Sequence, residues 1–136
     1  MSVVSSKRGE PKLGVITKTR ELASYTIKIC SNEKNFPKRY RWAITNKIVE
    51  CSINICTLTD KANSTYVKTK GDYQLRRKYQ VAAINETYSL LTLMDIAYIT
   101  FGVDSKRIDH WTGMVLDSQA LLRKWRDSDD KRFLKK

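Results

Sequence analysis

The chain has 136 residues, 41% hydrophobic and 29% charged, enough for one globular domain and too few for two comfortable ones. Five Gly and two Pro are too few to punctuate an all-β sandwich or barrel, and the most apolar stretch, Leu90 to Phe101, is too short for a bilayer and carries Asp95. Twenty-six Lys and Arg against 14 Asp and Glu leave a net charge of +12, so a polyanion is the first partner class to consider.

In chain order, a first helix is predicted from Pro11 and Gly14 to about Ser31, with Ile16, Ala23, Ile27 and Cys30 on one stripe. The break Asn32–Pro37 follows, and Pro37 suits the first turn of a second helix because its missing N–H is not needed there. Ile44, Ile48, Cys51, Ile55, Leu58 and Ala62 then step by four and three, a heptad seam that ends near Asn63 and Ser64. A polar loop leads to a third helix over about Asp72 to Thr100, with Leu75, Tyr79, Ala82, Leu90, Leu93 and Ala97 on its stripe. Leu91, Met94, Tyr98 and Phe101 widen that stripe at its end, which implies contact with more than one neighbour and an oligomer. Gly102 closes this helix. Asp104 or Ser105 caps a fourth helix, whose stripe is Ile108, Trp111, Val115, Ser118, Leu122 and Trp125.

Seven-residue spacing and short connections predict an all-α fold, a single up-down-up-down antiparallel four-helix bundle spanning residues 1–136. Residues 1–12 and 127–136 are expected to be a polar N-terminal and a basic C-terminal extension. No apolar run follows Lys7 and Arg8, so no secretory signal is expected, and Cys30, Cys51 and Cys56 fit no disulfide framework. A cytoplasmic protein is the expectation.

Enzyme chemistry needs converging reactive groups, and the sequence offers few. His110 is the only histidine, no Cys-x-x-Cys pair is present, and no Gly-rich loop precedes a helix. No catalytic residue, metal ligand or cofactor is assigned. The charge, by contrast, is clustered: residues 1–41, 68–80 and 121–136 carry surpluses of seven, four and four cations. The candidates for phosphate contact are Lys38, Arg39, Arg41, Arg76, Arg77, Lys78, Arg123, Lys124, Arg126, Lys131 and Arg132. Trp111 and Trp125 read as core residues, Phe36 and Pro37 as the pair that sets the angle of the second helix. No stretch is read as combining a basic face with an exposed aromatic one, which weighs against a membrane surface.

The run Phe36-Pro37-Lys38-Arg39-Tyr40-Arg41, opening the second helix, resembles the Phe-Pro-Lys-x-x-Arg element of the bacterial Avd-like four-helix bundle proteins. These include the accessory variability determinants of diversity-generating retroelements and the 23S rRNA intervening-sequence proteins. The resemblance extends by pattern and length to Tyr25–Lys34, Ala62-Asn63 and the helix containing Trp125. Ser52-Ile53-Asn54-Ile55-Cys56-Thr57 lacks the Ala-Glu-Gly end of the intervening-sequence branch, and the heavy basic charge is more similar to the retroelement branch. That resemblance implies a homopentamer without an active site, which binds RNA or DNA with little sequence preference and associates with a reverse transcriptase and its template RNA. The alternatives are an intervening-sequence-type protein or an oligomerising interaction module with no polymerase partner.

Overall fold

The computed structural model describes residues 11–134. Four α-helices make up the fold: α1 (Pro11–Cys30), α2 (Asn46–Ser64), α3 (Lys70–Phe101) and α4 (Ser105–Phe133), with no strand among the described residues. Each packs against the next in sequence, and α1 packs against α4 to close the ring.

Helix ends follow local chemistry. The Thr69 hydroxyl accepts the Asp72 N–H at 3.1 Å while the Asp72 carboxylate accepts the N–H groups of Thr69 and Lys68, a capping box that starts α3. Asp104, not Ser105, caps α4 by accepting the Arg107 N–H at 3.2 Å. Gly102 ends α3 in the left-handed region (φ 67°), where its N–H reaches the Tyr98 carbonyl. The approach to α2 is less regular than the sequence implies. After Pro37 the chain makes a 3₁₀ turn over Lys38–Tyr40 and a π turn over Arg41–Thr45, in which the Asn46 N–H bonds the Arg41 carbonyl.

The seams of α2 and α4 face the core as predicted, with Ile48, Ile55, Trp111, Val115 and Leu122 inaccessible to solvent. The stripes of α1 and α3 do so only in part: Ile16, Cys30, Leu90 and Ala97 are buried. Ile27 and Leu75 are exposed, and the buried faces run through Leu22, Thr26 and Ile29 on α1 and through Tyr73, Arg76, Gln80, Ala83, Ile84 and Thr87 on α3. The reason lies in threonine. Thr26 donates to the Leu22 carbonyl (2.7 Å) and Thr87 to the Ile84 carbonyl (2.6 Å), so each hydroxyl is satisfied within its own helix. Thr26 also accepts the Trp111 indole N–H at 3.0 Å, tying α1 to α4, and Thr87 accepts the Gln119 amide at 2.9 Å, tying α3 to α4. A polar residue so satisfied packs as a small hydrophobe, which a count of apolar side chains misses.

The C-terminus also departs from the expectation of a basic extension. Residues 127–133 are no extension but the last turns of α4, with Asp129 buried. Of the expected N-terminal extension, Pro11 and Lys12 open α1; residues 1–10, like Lys135 and Lys136, lie outside the described residues.

Gly102→Ala should lower stability by about 1 kcal/mol in urea denaturation, since nothing lies within 4 Å of a Cβ there and the cost is the left-handed backbone alone. An unchanged midpoint would show that the α3–α4 corner relaxes.

Candidate nucleic-acid interface

The predicted cations fall into two groups that the fold keeps apart. Tyr40 packs on Phe101, the last residue of α3, whereas Arg76 lies in its second turn; at 1.5 Å per residue these points are about 37 Å apart.

At the start of α3 part of the charge is spent internally, on Arg76, Arg77 and Arg126. The Arg76 side chain, 8% exposed, grips Asp129 of α4 through Nε (2.7 Å) and Nη2 (3.2 Å), and Gln80 donates to the same carboxylate at 2.9 Å. Its guanidinium lies 5.1 Å from the centre of the Trp125 ring. Arg76 is therefore not available to phosphate, contrary to the sequence reading, because a buried carboxylate 53 residues away requires it. Arg77, 41% exposed, makes a second bidentate pair, with Asp130 at 2.9 and 3.1 Å, and Tyr73 Oη donates to Asp130 at 2.6 Å. The Arg77 guanidinium and the Tyr73 hydroxyl together hold the Asp130 carboxyl below its usual range. Arg126 pairs with Asp127 at the surface. Arg123 leans over the Tyr88 ring and Arg132 over Phe133. Lys78, Lys124 and Lys131 are exposed with no carboxylate partner among the described residues.

The other group is built differently. Phe36 is buried edge-on against Phe101 (5.8 Å) and Trp111 (6.0 Å), and Tyr40 lies across Phe101 at 5.5 Å. These two rings pin the α1–α2 connection to α3 and α4. Lys38, Arg39 and Arg41 are all exposed, and none has a carboxylate partner among the described residues. Arg39 stacks over Tyr40 at 5.2 Å, which orders its guanidinium without neutralising it. Beside them stands Trp42, 86% exposed. The structure thus combines cations with an exposed aromatic, a combination absent from the sequence reading. The alternation Arg39-Tyr40-Arg41-Trp42 was its only signal, and it did not show that Tyr40 packs on Phe101 while Trp42 stands free.

Reactive groups are scarce elsewhere. Burial pushes the Cys30 thiol up to about 12, and burial with the neighbouring Glu86 does the same to Cys51, so both stay protonated. Exposed His110 meets the Tyr25 ring edge-on at 5.2 Å. No group of three or more His, Cys, Asp or Glu among the described residues could hold a metal. A cleft of about 370 Å³ between Val67, Lys68, Lys70, Tyr73 and Phe133 contains no acid–base pair. No helix among the described residues is long and apolar enough to cross a membrane. No family model, curated protein or solved structure matches the chain, so its function must be argued from these surfaces.

Arg76→Met should cost about 3–5 kcal/mol by stranding Asp129, whereas Arg77→Met should cost under about 1 kcal/mol, both read in urea denaturation. Equal losses would contradict the assigned burial. Asp130 and Asp72 both have depressed carboxyls in the fold, so the stability they confer is complete above the ordinary value of 3.8 and is lost as pH falls through their lower folded values. Asp130→Asn should flatten the fall in stability measured between about pH 5 and pH 2; a profile identical to the parent's would remove Asp130 from the acid response.

Proposed function

We propose that the chain is a non-enzymatic nucleic-acid-binding protein, a four-helix bundle that holds backbone phosphates on the Lys38–Arg41 ledge. The single observation that carries this reading is the ledge itself: three adjacent exposed cations with no carboxylate partner among the described residues, on a segment pinned by Phe36 and Tyr40. Multiple fixed cations release condensed counterions from a polyanion, and Arg presents a fork that matches phosphate oxygens. Lys78, Lys124, Lys131 and Arg132 form a second, weaker surface at the other end of the bundle.

The helices run up-down-up-down in this reading. Contacts supporting the alternation join Arg20 in α1 to Asp60 near the end of α2, Arg76 early in α3 to Asp129 late in α4, and Trp111 early in α4 to Thr26 late in α1. The Phe36–Arg41 run, the four helices and the net charge of +12 are the grounds for extending the proposal to an Avd-like accessory role. In that role the protein works in the cytoplasm as a homo-oligomer, a pentamer by resemblance, with a reverse transcriptase and its template RNA. The exposed apolar side chains of Ile96, Tyr98 and Ile99 near the end of α3 favour self-assembly.

Binding of labelled RNA and DNA, followed by anisotropy across a salt series, tests the reading. Lys38→Gln/Arg39→Gln/Arg41→Gln should weaken binding and reduce the log–log salt slope on single strands by about 2, at roughly 0.7 per phosphate contact. A parental affinity and slope in this variant would sink the proposal.

A further inference from the structure

Trp42 is the most exposed large hydrophobic side chain of the described residues, at 86%, and its surroundings cost the fold something to maintain. The π turn over Arg41–Thr45 replaces the regular i to i−4 bonding with an i to i−5 bond from Asn46 to Arg41. Thr45 is buried within this turn with its hydroxyl unpartnered, whereas buried Thr26, Thr59 and Thr87 all donate to carbonyls of their own helices. A rare helical turn, an orphaned buried hydroxyl and a solvated indole therefore occur within five residues. None of the three stabilises the monomer. Local rules broken together in this way mark a segment shaped for binding.

We infer that Trp42 is a stacking platform for an unpaired base, and that the ligand of this ledge is single-stranded nucleic acid. The inference rests on the phosphate-binding reading of Lys38, Arg39 and Arg41. Any base has a π face to lay on an indole, so the platform accepts any sequence, but a base within a duplex is already covered on both faces by its neighbours. Cations immediately before the ring in sequence favour this occupant over an apolar protein surface, which would have to desolvate Arg39 and Arg41 without a counter-charge. Tyr40 is the poorer platform, because its ring already contacts Phe101 and the Arg39 guanidinium and is 40% exposed against 86% for Trp42. The division of labour is then plain: Phe36 and Tyr40 hold the ledge, the cations take phosphates, and Trp42 takes a base.

The test uses the full chain with an oligothymidylate of roughly 12 nucleotides, the matching oligouridylate and a duplex of equal length. Trp42→Ala should bind the single strands about 5- to 150-fold more weakly, with duplex affinity unchanged and the salt slope unaltered, because no phosphate contact is lost. Trp42→Phe should recover much of that loss, since a ring is restored. Indole emission of the parent should be quenched by the single strands but not in Trp42→Ala, as Trp111 and Trp125 are buried. The urea midpoint of Trp42→Ala should equal or exceed the parent's, as expected for a side chain that packs on nothing. If Trp42→Ala binds single strands like the parent while the Lys38/Arg39/Arg41 variant is weakened, the platform is overturned and the phosphate ledge stands. If neither variant changes binding, both readings fall. If Trp42→Ala instead sediments as a smaller assembly with unaltered affinity per chain, Trp42 is a subunit contact and the inference is wrong.

Discussion

A carboxylate cannot be left alone in an apolar interior, and Asp129 is buried near the end of α4. Arg76 and Gln80 of α3 satisfy it, and Arg76 in turn covers the Trp125 ring, so one acidic group fixes the register of two helices and the position of a core aromatic. The next residue, Asp130, repeats the arrangement at the surface with Arg77 and Tyr73. Such pairs add little net stability compared with well-packed apolar residues, but they strongly penalise any sliding of α4 along α3 that would strand a charge. The long α3–α4 pairing is specified at this end by charge and further along by the bond from Gln119 to Thr87.

This constraint also determines which cations remain accessible at that end of the bundle. A net charge of +12 describes the whole chain, not its accessible surface. Arg76 is taken out of the accessible cluster at that end of the bundle by a buried aspartate, and Arg77 and Arg126 share their charge with aspartates in surface pairs. The opposite end has the reverse economy: fewer cations, but adjacent and without acidic partners among the described residues.

The two ends also differ in how firmly the backbone obeys helical rules. Around Thr69 and Asp72 the helix starts on a capping box and is tied to α4 by a buried ion pair. Between Pro37 and Asn46 the chain passes through two irregular turns and leaves a hydroxyl unpaired, yet it is anchored by Phe36 and Tyr40. A rigid scaffold that carries an irregular, exposed segment is a common way to present binding groups.

The positions of the four helices were legible in the sequence, as were the seams of α2 and α4, because Ile, Val, Leu and Trp at three- and four-residue steps leave only one face to bury. Gly102 and the Asp104 cap were legible because their chemistry is local, whereas the Thr69–Asp72 capping box that starts α3 was not read. The inner faces of α1 and α3 were legible only where they are apolar, at Ile16, Cys30, Leu90 and Ala97. Thr26, Arg76, Gln80 and Thr87 look like surface residues until their partners are in place, and Asp129 stands 53 residues from the arginine it needs. Trp42 was hidden in the opposite sense: composition places an indole inside, whereas in the fold it stands in the π turn before α2 and is 86% exposed. Periodicity along one helix determines which residues can be buried. Which polar groups are buried, and which apolar one is not, depends on the hydrogen-bond partners that other helices bring, and those exist only once the bundle has closed.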